Sequence, residues 1–212
     1  MQITGMLWGR KLLDLVEFTH SEVHGPELSV DEIKDMIKRH GQLFIKPMFK
    51  GGVGKKGKSG LLGRVDNISD ALKEKERLYF CEHVDGFNKV KSDGVTYEGA
   101  VPADYEVYFS ITESTEHRSP VMTVTHHGGV DIEELDSDKL AVVPFDPLTG
   151  LKAFHVSNAL MDLGAPPQVI SPLVQNLPKL WDLYNNYGML MLELNPIRMQ
   201  PGKGGRLTPV AC

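Results

Sequence analysis

The chain has 212 residues, of which 41% are hydrophobic and 24% charged, so it can bury a core in one large domain or two smaller lobes. A formal net charge of −5 excludes an overall field that attracts nucleic acid or an anionic membrane, so neither is expected as a partner. No apolar run approaches the roughly 20 residues that span a bilayer, and the N-terminus lacks the pattern of a signal peptide. Together with two isolated cysteines, these features predict a cytoplasmic protein.

The first half of the chain predicts a mixture of helices and strands. Residues 29–32 (SVDE) form a capping box that opens a helix, and Gly41 is the natural end of that helix. The run 42–49 (QLFIKPMF) is typical of a strand and 61–65 of a return strand, so we expect a hairpin around the glycines between them. Another helix is predicted over 70–77.

In the second half, alternating apolar and polar residues predict antiparallel strands, and helical periodicity predicts two further helices. Ser171 is expected to cap the second of these helices, with Pro172 in its first turn. Pro178 predicts a kink or a break inside it. The predicted strands are 105–112, 120–125, 140–145, 189–194 and 206–211, and the predicted helices are 151–163 and 171–187.

A literal match to the phosphate-loop pattern G-x-x-x-x-G-K-[ST] runs from Gly52 to Ser59. That loop requires a helix that starts at its lysine, because the helix N-terminus binds the phosphates. Gly60 and Gly63 follow instead, and each costs about 1 kcal/mol inside a helix. We therefore expect a hairpin whose glycine amides and lysines approach an anion, the alternative being a solvated basic loop. The lysines are Lys50, Lys55, Lys56 and Lys58.

Polar residues at three other places are candidates for binding. Glu98 and Glu106 flank the predicted seam between two lobes. Glu193 and Asn195 occupy positions i and i+2 of a predicted strand, so their oxygens share one face and suit Mg²⁺. An ordinary turn at the end of that strand is the alternative interpretation.

The adjacent histidines His126 and His127 follow a predicted strand. Because neighbouring residues of a strand face opposite sides, we do not expect these side chains to share a metal ion. The expectation is one packed or hydrogen-bonded imidazole and one exposed imidazole.

In their order along the chain, these features resemble the ATP-grasp domain. More narrowly, they resemble the nucleotide-binding part of the β subunit of succinyl-CoA synthetase and its relatives, which include ATP-citrate lyase. The resemblance covers the chain from about residue 40 to its end. It rests on 44–46 (FIK) with 51–55 (GGVGK), 98–101 (EGAV) with Glu106, 127–133 (HGGVDIE), 146–151 (DPLTGL) and 192–196 (LELNP).

The resemblance implies an α+β fold of the ATP-grasp type, in which a nucleotide binds between two lobes. The larger lobe is expected to comprise 1–23 and 102–212, and the smaller lobe 24–101, which carries the glycine and lysine hairpin. The implied ligands are ATP and Mg²⁺.

Individual residues acquire roles by the same resemblance. A lysine suits phosphate as a point charge, and a hinge suits adenine because backbone groups pair with the edge of the base. The resemblance implies that Lys46 contacts the phosphates and that the amides of Gly52, Val53 and Gly54 close over them. It implies that Glu98 and the backbone near Val101 meet the adenine and that Glu106 meets the ribose. It also implies that Asn195 holds Mg²⁺.

Some of the family's machinery is missing from this sequence. It contains no Gly-His-Ala-Gly stretch for a phosphohistidine, and no aspartate on 206–211 for a second metal ligand. The resemblance therefore implies an incomplete nucleotide module, which supplies ATP·Mg²⁺ to phosphorylate a histidine on a companion subunit or domain. That companion would also carry the CoA-binding site.

The implied enzyme is an ADP-forming acid–CoA ligase, similar either to succinyl-CoA synthetase or to ATP-citrate lyase and citryl-CoA synthetase, and its substrate is a small carboxylic acid. One alternative is an ATP-grasp ligase that joins a carboxylate to an amine. The other alternative, from a different class, is a non-catalytic nucleotide-sensing domain with the same fold.

Overall fold

The computed structural model describes residues 5–49, 60–85, 88–128 and 135–212. The predicted phosphate-binding residues Gly52, Val53 and Gly54 lie outside these ranges. The chain forms two compact units, Met1–Lys11 with Ser21–Ala100 and Leu12–His20 with Val101–Cys212.

The N-terminal boundary differs from the predicted lobes, which assign residues 1–23 to the larger one. Helix α1 (Gly5–Asp14) has its beginning in the first unit and its end in the second. Its Arg10 side chain contacts residues of the first unit, whereas Leu13 is buried in the core of the second. The burial of Leu13 and the contacts of Arg10 together account for the division at Lys11.

A sheet packed against helices forms the first unit. Its elements are β1 (Val23–His24), α2 (Val30–His40), β2 (Leu43–Phe49), β3 (Gly63–Val65), α3 (Ile68–Tyr79), β4 (Glu82–Asp85) and β5 (Asn88–Gly99). The strands lie in the order β1-β5-β2-β3, β4 also pairs with β5, and the neighbours are antiparallel. The predicted pairing of residues 42–49 with the return strand is thereby confirmed.

Helix α2 begins and ends where the sequence predicts. The Ser29 hydroxyl accepts a hydrogen bond from the backbone N–H of Glu32, and the Glu32 carboxylate accepts one from the N–H of Ser29 at 2.8 Å. Gly41 ends the helix with a left-handed φ of 71°, which glycine adopts without strain. Ile33 and Met36 then point into the core of the unit.

The two central strands of this sheet have one apolar and one polar face, because successive side chains alternate. The apolar face packs into the core, and the polar face gathers the charged groups. The core face carries Leu43, Ile45, Val95 and Tyr97, and the other face carries Phe44, Lys46, Thr96 and Glu98.

The second unit has a sheet with helices against its apolar face. Its strands are β6 (Glu106–Ser114), β7 (Ser119–Thr125), β8 (Ala141–Pro144), β9 (Met191–Pro201) and β10 (Leu207–Ala211), and its helices are α4 (Ala153–Asp162), α5 (Pro167–Asn176) and α6 (Lys179–Asn186). The strand order is β10-β9-β6-β7-β8, and neighbouring strands are antiparallel. Within the described ranges, no helix combines the length and the apolar character needed to cross a membrane.

The break predicted at Pro178 is confirmed, because α5 ends at Asn176 and α6 starts at Lys179. The predicted start at Ser171 is wrong. Helix α5 starts at Pro167, where a proline at the first helical position loses no hydrogen bond. Pro172 consequently lies inside the helix.

At Gly150 a larger residue would face both backbone strain and a steric clash. Its φ is 74°, and a Cβ built on it would lie 2.4 Å from Cδ1 of Trp181. We expect Gly150→Ala to lower the free energy of unfolding by about 3 kcal/mol, because left-handed strain adds to the clash. Gly164→Ala is the matched control, since Gly164 has a φ of 70° with open space around it. Urea denaturation measures both variants, and equal losses of stability would contradict the tight packing at Gly150.

Candidate functional site

The polar face of the first sheet brings Lys46 next to Glu98. Phe44 of β2 pairs with Glu98 of β5, so Lys46, two residues further along, is a diagonal neighbour of the glutamate on the same face. The Lys46 Nζ donates a hydrogen bond to Oε2 of Glu98. The lysine side chain is 21% exposed, whereas the glutamate side chain is 2% exposed. A partly open ammonium group therefore lies against a buried carboxylate.

Two further groups hold the other oxygen of this carboxylate. Arg10 Nη2 lies 3.0 Å from Oε1 of Glu98 and donates a hydrogen bond to it. The Ser21 hydroxyl donates a second hydrogen bond to the same oxygen. Arg10 also donates to Oγ of Ser21 at 3.0 Å. We call these four residues, Arg10, Ser21, Lys46 and Glu98, the Glu98 cluster.

Opposing effects set the ionisation of Glu98. Burial favours the neutral acid and by itself raises the pKa of the carboxyl group. The charge of Lys46, the hydrogen bonds from Lys46 and Ser21, and the charge of Arg10 outweigh burial, so the pKa of Glu98 lies below its usual value. At neutral pH the Glu98 cluster thus has two cations and one anion. The excess positive charge suits an anionic ligand.

In the second unit, one arginine contacts both Glu106 and Val101. Glu106 of β6 pairs directly with Arg198 of β9. Arg198 Nη2 donates a hydrogen bond to Oε1 of Glu106 at 2.5 Å, and Nη1 donates one to the carbonyl oxygen of Val101 at 2.9 Å. The Glu106 side chain keeps 26% of its surface exposed. Because a carboxylate accepts hydrogen bonds on both oxygens, Glu106 retains capacity for further donors.

Asn195 lies at an irregularity of β9. The pairing register shifts there, so Asn195 and Pro196 stand opposite the single residue Tyr108 of β6. Asn195 and Glu193 are both exposed. Burial raises the pKa of Tyr108, a hydrogen bond from Ser110 lowers it, and the charge of Glu193 raises it. The polar face of the second sheet therefore combines hydroxyl, amide and carboxylate groups.

His126 is partly buried and His127 is exposed, as predicted, but the expected alternation of strand side chains does not apply to them. Strand β7 ends at Thr125, so the alternation of a strand does not extend to the two histidines. Their ring centroids are 4.1 Å apart. Burial and then the neighbouring His127 lower the pKa of His126. Gly128 follows, and its N–H donates to the backbone carbonyl of Glu106 at 2.9 Å, so the histidines adjoin the start of β6.

The described residues do not form a preassembled metal cage. In the ranges given above, no group of three or more His, Cys, Asp or Glu side chains is arranged to hold a metal ion. Strand β10 carries no aspartate, as the sequence already indicates. Asn195 and Glu193 nevertheless offer hard oxygen atoms, and Mg²⁺ often takes one or two protein ligands together with phosphate oxygens and water. These residues therefore fit a magnesium ion that takes its remaining ligands from outside the protein.

The sequence did not predict the residues that contact Glu98 and Glu106 from elsewhere in the chain: Arg10, Ser21 and Arg198. Glu98 itself carried a usable signal, because a glutamate in an apolar strand requires a buried counter-charge. One counter-charge comes from Arg10 of α1, which is distant from Glu98 in the sequence. Arg198 is recognisable only when the register of β6 against β9 is known.

Comparison with curated proteins identifies similar sequences. The chain is 28% identical over 178 residues to the succinate–CoA ligase [ADP-forming] subunit beta of Desulfatibacillum aliphaticivorans, which corresponds to 81% of this chain and 46% of that protein. The chain therefore spans less than half of that relative's length.

Solved structures with the same fold are also similar. The ATP citrate lyase from Methanothrix soehngenii, in complex with citrate and coenzyme A, matches with a TM-score of 0.66 and 20% identity over 96% of this chain and 46% of that one. The dinucleotide forming acetyl-coenzyme A synthetase 1 of Ca. Korarchaeum cryptofilum matches with a TM-score of 0.68 and 14% identity over 96% of this chain and 88% of that one. At these identities the likeness shows the fold.

The predicted α+β fold of the ATP-grasp type is confirmed by a family match. The family model described as the ATP-grasp domain covers residues 18–199, which is most of the 212-residue chain. This chain belongs to the ATP-grasp domain family.

Proposed function

We propose that this chain binds ATP·Mg²⁺ as the nucleotide-binding part of an ADP-forming acid–CoA ligase. The observation that carries the proposal is the Glu98 cluster, in which a partly exposed lysine lies against a buried carboxylate with a second cation behind it. The Glu98 cluster supplies a positive charge whose position is fixed by the sheet. The named relatives support the class of enzyme, since a succinate–CoA ligase subunit and an ATP citrate lyase are among them.

In the first unit, Lys46 is proposed to contact the phosphates of ATP. Its ammonium group is compact, has three donors, and is accessible in a way that the Glu98 carboxylate is not. Glu98 is proposed to contact the adenine, as the family resemblance implies, and because its buried carboxylate is paired with Lys46 at Oε2, this contact is proposed to form only when Lys46 turns to the phosphates. By the same resemblance, Gly52, Val53 and Gly54 are proposed to donate their amides to phosphate oxygens.

In the second unit, Glu106 is proposed to accept hydrogen bonds from the ribose, and the backbone near Val101 to contact the adenine. Arg198 supports both assignments, because one guanidinium group fixes the Glu106 carboxylate and the Val101 carbonyl. The two donors of a planar guanidinium keep a fixed angle, so the two acceptors are held in a defined geometry.

Asn195 is proposed as a ligand of the magnesium ion. The ion would supply charge neutralisation at the phosphates when it is bound. Asn195 itself supplies one amide oxygen from a turn-like irregularity of β9, and the exposed Glu193 lies two residues before it. Both groups are hard oxygen donors of the kind that Mg²⁺ prefers.

The proposed reaction transfers the terminal phosphate of ATP to a histidine on a companion subunit or domain. That companion also carries the CoA-binding site, and the substrate is a small carboxylic acid. The relatives support this part, because one is a beta subunit and another was solved with citrate and coenzyme A. Other structures of the acetyl-coenzyme A synthetase carry a phosphohistidine segment.

A thermal titration of the chain with ATP and Mg²⁺ tests the binding proposal. At ten times the dissociation constant, ligand binding raises the melting temperature by about 3 °C, because the ligand stabilises only the folded state. Glu106→Gln should reduce this rise, whereas Glu116→Gln, which removes the same charge from an exposed turn, should preserve it. No rise with the unmodified chain, or equal rises for the two variants, would contradict the proposal.

The alternatives are separated by a second experiment. The unmodified chain, saturated with radiolabelled ATP, is mixed with a companion polypeptide that carries a candidate histidine. Acid-labile and base-stable labelling of that polypeptide supports the acid–CoA ligase. Nucleotide binding without transfer to any companion would favour a nucleotide-sensing domain, and phosphate release driven by an amine would favour a carboxylate–amine ligase.

A further inference from the structure

The buried carboxylate of Glu98 has two cationic partners that occupy different oxygens. Lys46 donates to Oε2, whereas Arg10 donates to Oε1 at 3.0 Å. Ser21 also donates to Oε1, so the arginine and the serine act on the same side of the carboxylate. Removal of Lys46 from Oε2 would therefore leave the contacts at Oε1 in place.

The two cations also differ in exposure. The Arg10 side chain is 11% exposed and the Lys46 side chain 21%, next to a glutamate side chain that is 2% exposed. A guanidinium group is permanently charged and planar, and here it bridges Glu98 and Ser21. The lysine has a flexible stem with a single strongly hydrated ammonium group, so it reorients at lower cost. Arg10 is accordingly the fixed partner and Lys46 the exchangeable one.

An exchangeable lysine needs such a fixed partner. When an ammonium group leaves a buried carboxylate for a phosphate, the carboxylate loses its counter-charge in a medium that solvates it poorly. That loss opposes phosphate binding and reduces the affinity. A second cation that stays with the carboxylate removes most of this opposition.

We infer that Arg10, assisted by Ser21, is a positioning residue that keeps Glu98 paired while Lys46 turns to the phosphates of the nucleotide. This inference rests on the proposed function, because the phosphate contact of Lys46 is part of that proposal. Arg10 does not itself touch the ligand in this scheme. It acts through Glu98 and sets how much affinity the Lys46 contact contributes.

The first test measures nucleotide affinity by calorimetry with ATP and Mg²⁺. Arg10→Met is expected to weaken binding about tenfold, because Lys46 then has to remain with Glu98. Lys11→Met is the matched control, because it removes the neighbouring positive charge of α1. The Lys11 ammonium group lies 5.5 Å from the centroid of the Trp8 ring and outside the Glu98 cluster. Arg10→Lys should recover part of the affinity, and Ser21→Ala should lose a smaller part. Equal affinities of Arg10→Met and Lys11→Met would overturn the inference.

A combined variant separates positioning from a general loss of structure. In the Glu98→Gln background there is no carboxylate charge to retain Lys46, so adding Arg10→Met should change the affinity less than about twofold. A full tenfold loss in that background would overturn the inference. If Arg10→Met does not fold, the nucleotide affinities of Arg10→Lys and Ser21→Ala are compared with and without Glu98→Gln in its place.

A spectroscopic readout does not depend on nucleotide binding. The charged and titratable groups that face Glu98 from neighbouring described elements are Arg10 on α1 and Lys46 on β2. In Arg10→Met without ligand, the carboxyl ¹³C signal of Glu98 is expected to titrate at higher pH than in the unmodified chain and in Lys11→Met. An unchanged titration overturns the role of Arg10. If the unmodified chain does not bind ATP but the Glu98 titration still shifts in Arg10→Met, the proposed function is overturned. The role of Arg10 as the counter-ion of Glu98 is then still supported.

Discussion

Replacing Glu98 by glutamine is expected to lower the free energy of unfolding by about 3 kcal/mol, because two cations then remain around a neutral amide in a buried place. The loss comes from uncompensated charge and not from lost volume, since glutamine has nearly the same shape. Arg10 and Lys46 approach the two oxygens of the carboxylate from different sides, and neither finds another anion among the partners described for the cluster. Urea denaturation at neutral pH measures the difference.

Glu82→Gln provides the control for this prediction. Glu82 also belongs to the first unit and pairs with Lys89 at 2.7 Å, but both side chains are at least half exposed. Solvent screens such a pair, so the substitution should leave the free energy of unfolding nearly unchanged. Similar losses for the two variants would mean that Glu98 is not the buried, doubly paired carboxylate described above.

The contribution of Glu98 also has a defined dependence on pH. Its pKa is lowered on folding, so the folded state favours the ionised form over the range where the unfolded chain would take up a proton. The stability that Glu98 contributes is fully present above the ordinary carboxyl value and is lost as the pH falls below about 4.5. The gap between the unmodified chain and Glu98→Gln should accordingly be constant from neutral pH to about pH 5 and then narrow. A gap that widens in acid would contradict the assigned ionisation.

Replacing Lys46 by methionine is expected to weaken ATP·Mg²⁺ binding by between about tenfold and a hundredfold, while the chain stays folded. Methionine retains the length of the stem and removes the charge-assisted hydrogen bonds to phosphate. The fold tolerates the change, because Arg10 and Ser21 still satisfy Glu98. Calorimetric titration gives the affinity, and far-ultraviolet circular dichroism verifies the fold.

Lys58→Met is the comparison that decides between two interpretations of the glycine-rich stretch. Lys58 occupies the lysine position of the literal phosphate-loop match, and its substitution should cost less affinity than that of Lys46. A larger loss at Lys58 would support the phosphate-loop interpretation instead. The two variants remove one charge each, so the overall field of the protein changes equally.

Local sequence signals predicted much of the fold. The capping box at Ser29, the end at Gly41 and the break at Pro178 depend on a few neighbouring residues, and the structure has all three. The start of α5 was missed because Ser171 is a good cap in isolation, while Pro167 offers an earlier start that also suits the core. Competing signals of this kind are resolved by packing, which the local sequence does not contain.

The candidate site was predictable where it depends on strand pattern and not where it depends on register. The family resemblance names Lys46 and Glu98 as candidates, but their contact on one face follows from the pairing of Phe44 with Glu98. Arg10 reaches Glu98 from a helix near the N-terminus, and Arg198 reaches Glu106 through the pairing of β6 with β9. These partners complete the electrostatics of each unit, and their roles follow from geometry that a single sequence does not specify.

Lys46 is proposed to exchange the carboxylate of Glu98 for the phosphates of a nucleotide. Nuclear magnetic resonance of the lysine side-chain ammonium groups tests it directly, with the Lys46 signal assigned by its absence from Lys46→Met. This signal should shift saturably as ATP·Mg²⁺ is added to the unmodified chain. A Lys46 signal that does not move, at ATP concentrations that saturate the thermal titration, would rule out the proposed exchange.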